Sequence, residues 1–282
     1  MKIGTVGVVG CGLMGGGIAQ VVAQAGYSTI VREASDDLLV RGIGRIDKIL
    51  SRAVAKGKLE ESEKVAVLGR ISGTTDLADF HACDLVIEAV TENPEIKHQV
   101  FATLDTVAPD HAVLASNTSS ISITELAGAT SRPKQVIGLH FFNPVPIMSL
   151  VEMVVGLDTG EETIEAARTF GESLGKKVIV AKDTPGFIVN YLLIPYLLDA
   201  IRLVESDTAT PEDIDTGMVL GCSHPMGPLK LLDFIGLDTT LFIADVLYDA
   251  FRTDRYAAPP LLRKMVAAGH HGRKNGRGFY QY

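Results

Sequence analysis

The sequence predicts a doubly wound, mostly parallel α/β sheet followed by an all-helical domain, and three observations carry that expectation. Short β-rich runs alternate with longer helical patterns through the first two-thirds of the 282 residues. A glycine-rich turn, Gly10-Cys11-Gly12-Leu13-Met14-Gly15, joins the first strand to the first helix. After Asp183-Thr184-Pro185-Gly186 the strand signal stops and only helical periods remain. Strands separated by helices pair in parallel, because each crossover returns over the sheet and covers a face.

The strand runs are Thr5 to Val9, Ser28 to Arg32, Leu85 to Glu88, Ala112 to Ala115, Gln135 to His140 and Lys177 to Val180, with Leu150 to Val155 as a further candidate. Each is a short apolar or β-branched run bounded by turn residues. Helical spacing fills Gly15 to Gln24, Asp36 to Ala55, Pro94 to Val107 and Glu161 to Leu174. The irregular Asn143-Pro144-Val145-Pro146 links Gln135–His140 to Leu150–Val155. Beyond the Pro-Gly break, helical patterns cover Phe187 to Glu205, Pro211 to Leu220, Leu229 to Phe234, Thr239 to Phe251 and Pro260 to Ala268. Pro-Gly is a natural boundary, so residues 1–184 and 185–282 are expected to form separate domains.

A chain that is 46% hydrophobic and 21% charged is too apolar to stay disordered. The 26 basic against 34 acidic residues, net −8, argue against nucleic acid as a partner. An anionic ligand must then be held locally, by a few placed cations or by backbone N–H groups. The 3 cysteines, Cys11, Cys83 and Cys222, are odd in number and have no metal-like spacing. The start lacks the pattern of a secretory signal, and Phe187 to Val204 is interrupted by Asn190, Asp199 and Arg202, so no membrane span is expected. These features predict a cytoplasmic protein, with an organellar origin left open.

In the strand–turn–helix context, Gly10 permits the tight turn, Gly12 admits a pyrophosphate to the backbone, and Gly15 lets helix and strand pack. With Leu13 and Met14 they form the expected cradle of a Rossmann-type dinucleotide site. Glu33, at the end of the second strand, supplies the acid that accepts from ribose hydroxyls and repels a 2′-phosphate, favouring NAD. Arg32 beside it keeps NADP as an alternative, against the plainer reading of a solvated strand end. Ligands bind at the carboxyl ends of such strands. There the sequence collects Ala89, Val90 and Glu92 after one strand, Asn117 and Ser119 after the next, and His140 after the next.

Of the 7 histidines, His140 alone ends a sheet strand at that edge. The chain then folds back to Glu152, whose carboxylate would fix the tautomer of the ring and stabilise its protonated form. Position alone leaves a structural histidine as the alternative. Ser119, on the residues alone, reads rather as a helix cap ahead of Ser122 to Ala127. A helical stripe of Arg45, Lys48, Arg52 and Lys56, backed by Ile43, Ile46, Ile49 and Leu50, is either a phosphate-binding face or an ordinary solvated one.

Taken together, Gly10 to Gln20, Ser116-Asn117-Thr118-Ser119-Ser120, Gly138 to Pro146 with Leu150-Val151-Glu152, and Asp183 to Asn190 resemble the (S)-3-hydroxyacyl-CoA dehydrogenases. The likeness spans the whole chain, including His224-Pro225-Met226-Gly227-Pro228 and Gly276-Arg277-Gly278-Phe279-Tyr280, and is nearest to the stand-alone, bacterial-type members acting on 3-hydroxybutyryl-CoA. The resemblance implies NAD as cofactor and an acyl-CoA thioester as substrate. It makes His140 the base, Glu152 its partner, Ser119 and Asn190 the groups on the substrate oxygen, and places Glu92 and Lys97 near the nicotinamide half. Arg52 and Lys56 would then face the CoA phosphates. The helical domain is expected to contribute to the substrate cleft and to pair two copies. Glu33 stands where Asp is commoner, and Ser223 where Asn is. A sugar-acid or hydroxy-acid dehydrogenase, and a cofactor-binding protein without turnover, are the weighed alternatives; the intact His140 motif disfavours the first.

Overall fold

The computed structural model describes residues 2–282. By internal contacts it divides into two compact units, Met1–Thr184 and Pro185–Tyr282. In the first, β1 (Thr5–Val9), α1 (Leu13–Gln24), β2 (Ser28–Arg32), α2 (Asp36–Ala55), α3 (Glu61–Leu68) and β3 (Ile71–Thr74) form one half. Then β4 (Leu85–Glu88), α4 (Pro94–Val107), β5 (Val113–Ser116), α5 (Ile123–Ala127), β6 (Val136–Phe141), β7 (Leu150–Val155), α6 (Glu161–Ser173) and β8 (Lys177–Lys182) complete it.

The 8 strands lie in the order β3-β2-β1-β4-β5-β6-β7-β8. The order reverses between β1 and β4, so the crevice at their carboxyl ends is where such sheets take ligands. The inner strands are nearly continuous apolar runs because helices cover them on both sides. Val6, Val8, Leu85, Ile87, Leu114, Ala115, Ile137 and Leu139 are fully buried.

All pairings are parallel except β6 with β7, which are antiparallel. The tight connection through Asn143–Pro146 returns the chain directly beside β6, where a helical crossover would have kept it parallel. Two elements lie outside the expected set. The edge strand β3 has only Ile71 as a large apolar residue in Ile-Ser-Gly-Thr, and α3 buries only Val67, so neither carries a clear hydrophobic period.

The second unit holds α7 (Val189–Glu205), α8 (Pro211–Cys222), α9 (Pro228–Ile235), α10 (Leu237–Phe251) and α11 (Pro260–Ala267). Its core joins Leu197, Leu198, Ile201, Leu232, Leu247 and Leu262. Helix α7 begins at Val189 and not at Phe187, because Gly186 (φ 78°) and Phe187 (φ 50°) are left-handed and interrupt the helical hydrogen bonds. The closing segment is tied down by the buried Asp233, which accepts the Phe279 and Tyr280 amides, both at 2.9 Å. Among the described residues no helix is long and apolar enough to cross a membrane.

Candidate active site

The glycine turn is built as its residue types require. Gly10 is left-handed (φ 94°), and a Cβ there would stand 2.8 Å from the Ala89 carbonyl; one on Gly15 would stand 1.8 Å from the Gly10 carbonyl. Gly12 differs, because nothing in the protein comes within 4 Å of where its Cβ would be. Packing therefore does not demand glycine at 12, and the space left open there would let a ligand approach the protein backbone closely. Gly12 also begins α1 with no side-chain cap, leaving the first helical amides directed at that space. This fits a pyrophosphate.

Cys11, inside the turn, is held at both backbone groups. Its amide donates to Glu33 Oε1 at 2.6 Å, and its carbonyl accepts from Arg45 Nη2 at 2.8 Å. Arg45 is thus engaged with the turn and is removed from the basic stripe, while Arg52 and Lys56 stay exposed on α2. Ile49, expected on the apolar side of that helix, is also exposed. Glu33 Oε2 accepts from the Ala34 amide at 3.1 Å, so each carboxylate oxygen keeps lone-pair capacity for a further donor. Arg32 Nε donates to the Thr75 carbonyl at 3.2 Å. Burial, with the Glu33 charge adding to it, pushes the Cys11 thiol up to about 11, so it is inert at neutral pH.

At the ends of β4 and β5 lies a buried polar network. Glu88, wholly buried, accepts from the Val90 amide and Lys97 Nζ, each at 2.7 Å, and from Ser116 Oγ at 2.6 Å. Asn93 caps α4 through the Ile96 amide (3.0 Å), and the next turn directs Lys97 back under the sheet edge. Lys97 Nζ also pairs with Glu92 Oε2 at 3.2 Å. With 1% of its side chain exposed, Lys97 has no surface to offer a cofactor directly.

Glu92 Oε1 gathers the segment after β5, accepting from Thr118 Oγ1 (2.6 Å), the Ser119 amide (2.8 Å), Ser119 Oγ (3.2 Å) and Ser120 Oγ (3.1 Å). Burial alone would raise its pKa, but the Lys97 charge and the Thr118 and Ser119 hydrogen bonds outweigh that and hold it below the usual carboxylate range. Ser119 is not a helix cap. Ser122 caps α5, accepting from the Glu125 amide at 3.1 Å. Asn117 Oδ1 accepts from the Phe141 amide at 2.9 Å, joining the end of β5 to that of β6.

His140 and Glu152 are directly opposed in the β6–β7 register. Opposed residues of an antiparallel pair share a face at side-chain contact distance, and a slip of one residue would separate them. His140 Nδ1 meets Glu152 Oε2 at 2.7 Å, with Glu152 fully buried and 8% of the His140 side chain exposed. In the tautomer that donates from Nδ1 to the carboxylate, Nε2 is the nitrogen that accepts a proton. Phe142 packs against the ring, centroids 4.6 Å apart. Asn190 is buried in the first turn of α7, in the helical unit.

Residues 5–184 match the family model described as 3-hydroxyacyl-CoA dehydrogenase, NAD binding domain, and residues 186–282 match its C-terminal domain. The chain belongs to the 3-hydroxyacyl-CoA dehydrogenase family. It is, with that family, an NAD-dependent dehydrogenase. A 3-hydroxybutyryl-CoA dehydrogenase of Mycobacterium tuberculosis is 52% identical over 279 residues, 98% of each chain. The mitochondrial hydroxyacyl-coenzyme A dehydrogenase of Sus scrofa is 47% identical over 283 residues, 98% of this chain and 90% of the relative. The crystal structure of (S)-3-hydroxybutyryl-CoA dehydrogenase PaaH1 from Ralstonia eutropha superposes with a TM-score of 0.95 at 47% identity, covering 100% of this chain and 99% of that one.

For several residues of this polar edge the sequence shows the position but not the partner. Glu88 ends an apolar strand and looks like an ordinary strand terminus, and Thr118 and Ser120 look like loop polarity. Arg45 sits in a plausible surface stripe. The only sequence signal for Glu88 is an acid closing a run that is otherwise wholly apolar, which calls for a buried partner.

Proposed function

We propose that this dehydrogenase interconverts (S)-3-hydroxybutyryl-CoA and acetoacetyl-CoA, with His140 as general base and acid and Glu152 as its supporting carboxylate. The observation that carries the reading is the 2.7 Å contact between the two, set by direct opposition in the sheet. NAD, when bound along Gly10 to Gly15 with Glu33 toward the ribose, supplies the acceptor for the hydride that leaves C3. Ala89, Val90, Glu92 and Asn117, at neighbouring strand ends, line the remainder of that cofactor site.

In the oxidation, His140 Nε2 takes the proton from the C3 hydroxyl. The positive charge then forms on the imidazole and is stabilised by Glu152, as a carboxylate supports the histidine of a triad. Ser119 and Asn190 hold the same oxygen and orient it. Because Ser119 also leans on Glu92, its hydroxyl is held in one direction before substrate arrives. In reduction His140 returns the proton. Glu33 favours NAD over NADP by repelling a 2′-phosphate.

Arg52 and Lys56 are assigned to the CoA phosphates, and charge reversal at both should raise KM for the thioester and leave that for NADH unchanged. The helical unit is assigned to the substrate cleft and to pairing with a second copy through α7, where Leu192 and Leu203 are exposed; light scattering at working concentration should give a dimer. The principal test is oxidation of NADH by acetoacetyl-CoA. His140→Ala should lower kcat about 10²–10⁴-fold, and turnover near the wild-type rate would overturn the assignment.

A further inference from the structure

The connection between β6 and β7 is held by a group that the reaction itself does not use. Within it residues 144–148 make a single turn, in which the Ile147 and Met148 amides both donate to the Pro144 carbonyl, at 2.9 and 3.0 Å. A single turn leaves its later carbonyls without backbone donors. Lys176, just before β8, reaches across and donates from Nζ to the Val145 carbonyl at 2.6 Å and the Met148 carbonyl at 2.7 Å. Among the described residues its hydrogen bonds run to these carbonyls and to no carboxylate. Such an ammonium is costly to keep: Lys176 is 9% exposed, and burial holds it below the usual lysine range.

The other side of the turn rests on the cofactor helix. Val145 is 2% exposed and seats on α1 at Gly17, where a Cβ would stand 3.0 Å from Val145 Cβ and 3.1 Å from its Cγ2. The turn is therefore gripped between the helix opened by the glycine loop and a buried cation. His140 precedes it on β6, and Glu152 follows it on β7.

We propose that Lys176 is a positioning residue for the proton-transfer pair: by closing the carbonyls of the 144–148 turn it holds the β6–β7 connection against α1. That fixes the separation of the His140 ring from the cofactor cradle. The inference rests on the reading of His140 as the base and of Gly10 to Gly15 as the cradle. It predicts a defect in kcat more than in binding, since a small displacement of a reacting group costs rate while leaving the binding contacts in place.

The test compares Lys176→Met and Lys176→Arg with the wild-type enzyme in kcat, KM for acetoacetyl-CoA, Kd for NADH by fluorescence, and amide exchange at Ile147 and Met148. Lys176→Met should lower kcat about tenfold, hold KM and Kd within about twofold, and speed exchange in the turn by about tenfold or more. Lys176→Arg, which keeps cationic donors, should restore kcat to within about threefold of wild type. Wild-type exchange in Lys176→Met would overturn the clamp, and fast exchange with wild-type kcat would overturn its link to the reaction. If Lys176→Met does not fold, Lys176→Gln, with its neutral donor, is held to the same criteria. Exchange is read without turnover, so failure of the clamp is distinct from failure of the reading beneath it, which a fully active His140→Ala would reveal.

Discussion

Two carboxylates close neighbouring parts of the same sheet edge, both wholly buried and each against a nitrogen at 2.7 Å, yet they do different work. Glu88 faces Lys97, a permanent cation sealed from solvent, and its remaining lone pairs are filled by Val90 and Ser116. Nothing there can exchange a proton with a ligand. Glu152 faces His140, an imidazole that keeps a small exposed area. The two carboxylates are equally buried and equally close to their partners. The partner's chemistry and its access to solvent separate a sealed structural pair from one that the proposed reaction can use.

Breaking the scaffold pair should have the largest effect. Lys97→Met leaves Glu88 buried without its cation and should cost about 3–5 kcal/mol of stability. Chemical denaturation would measure it, and an unchanged midpoint would mean that the two pairs are not distinct in kind. Next is Glu152→Gln, which keeps the shape but removes the charge that stabilises the imidazolium. It should lower kcat by about 10²-fold or more with a smaller change in thermal midpoint; the reverse pattern would make Glu152 the structural member.

A third test uses pH. Glu92 is held below the ordinary carboxylate range, so its folded form binds its proton less readily than the unfolded chain does. Its contribution is therefore complete above the unfolded value and is lost as pH falls through the lower folded one. The stability gap between wild type and Glu92→Gln should narrow as pH is lowered from 7 toward about 3, in thermal melts at each pH. The smallest effect is expected away from the network. Ser223 ends α8 in a left-handed conformation (φ 57°), where Asn is better tolerated. Ser223→Asn should stabilise by a few tenths of a kcal/mol, roughly 1 °C in midpoint, with kcat unchanged.

How much was legible in the sequence follows the range of the interactions. The glycine turn and Glu33 could be read directly, because strand, turn and helix are adjacent in the sequence and the glycine spacing is a local pattern. The seven apolar strand runs were legible for the same reason, whereas β3 was not, since Ile-Ser-Gly-Thr takes its order from β2 and from α2 packed above it. At Ser119 the residues alone favoured a cap and only the resemblance pointed to the site. The fold separated them by giving the cap to Ser122 and turning Ser119 toward Glu92, 27 positions away. Arg45 looked available for ligands on spacing, and Lys97 on the resemblance. Tertiary packing had already engaged one with the Cys11 carbonyl and sealed the other between two acids.

By itself the amino-acid order determined which residues could do chemistry here and that the first strand, turn and helix have the form of a dinucleotide cradle, because those are properties of side-chain type and of contacts within one turn. It did not determine that His140 would meet Glu152. That required β7 to run against β6 in one register, with Val145 seated on Gly17 and the Lys176 ammonium drawn 31 residues back onto its carbonyl. Register is a collective outcome of packing, and a shift of one residue would have turned the acid to the opposite face of the sheet.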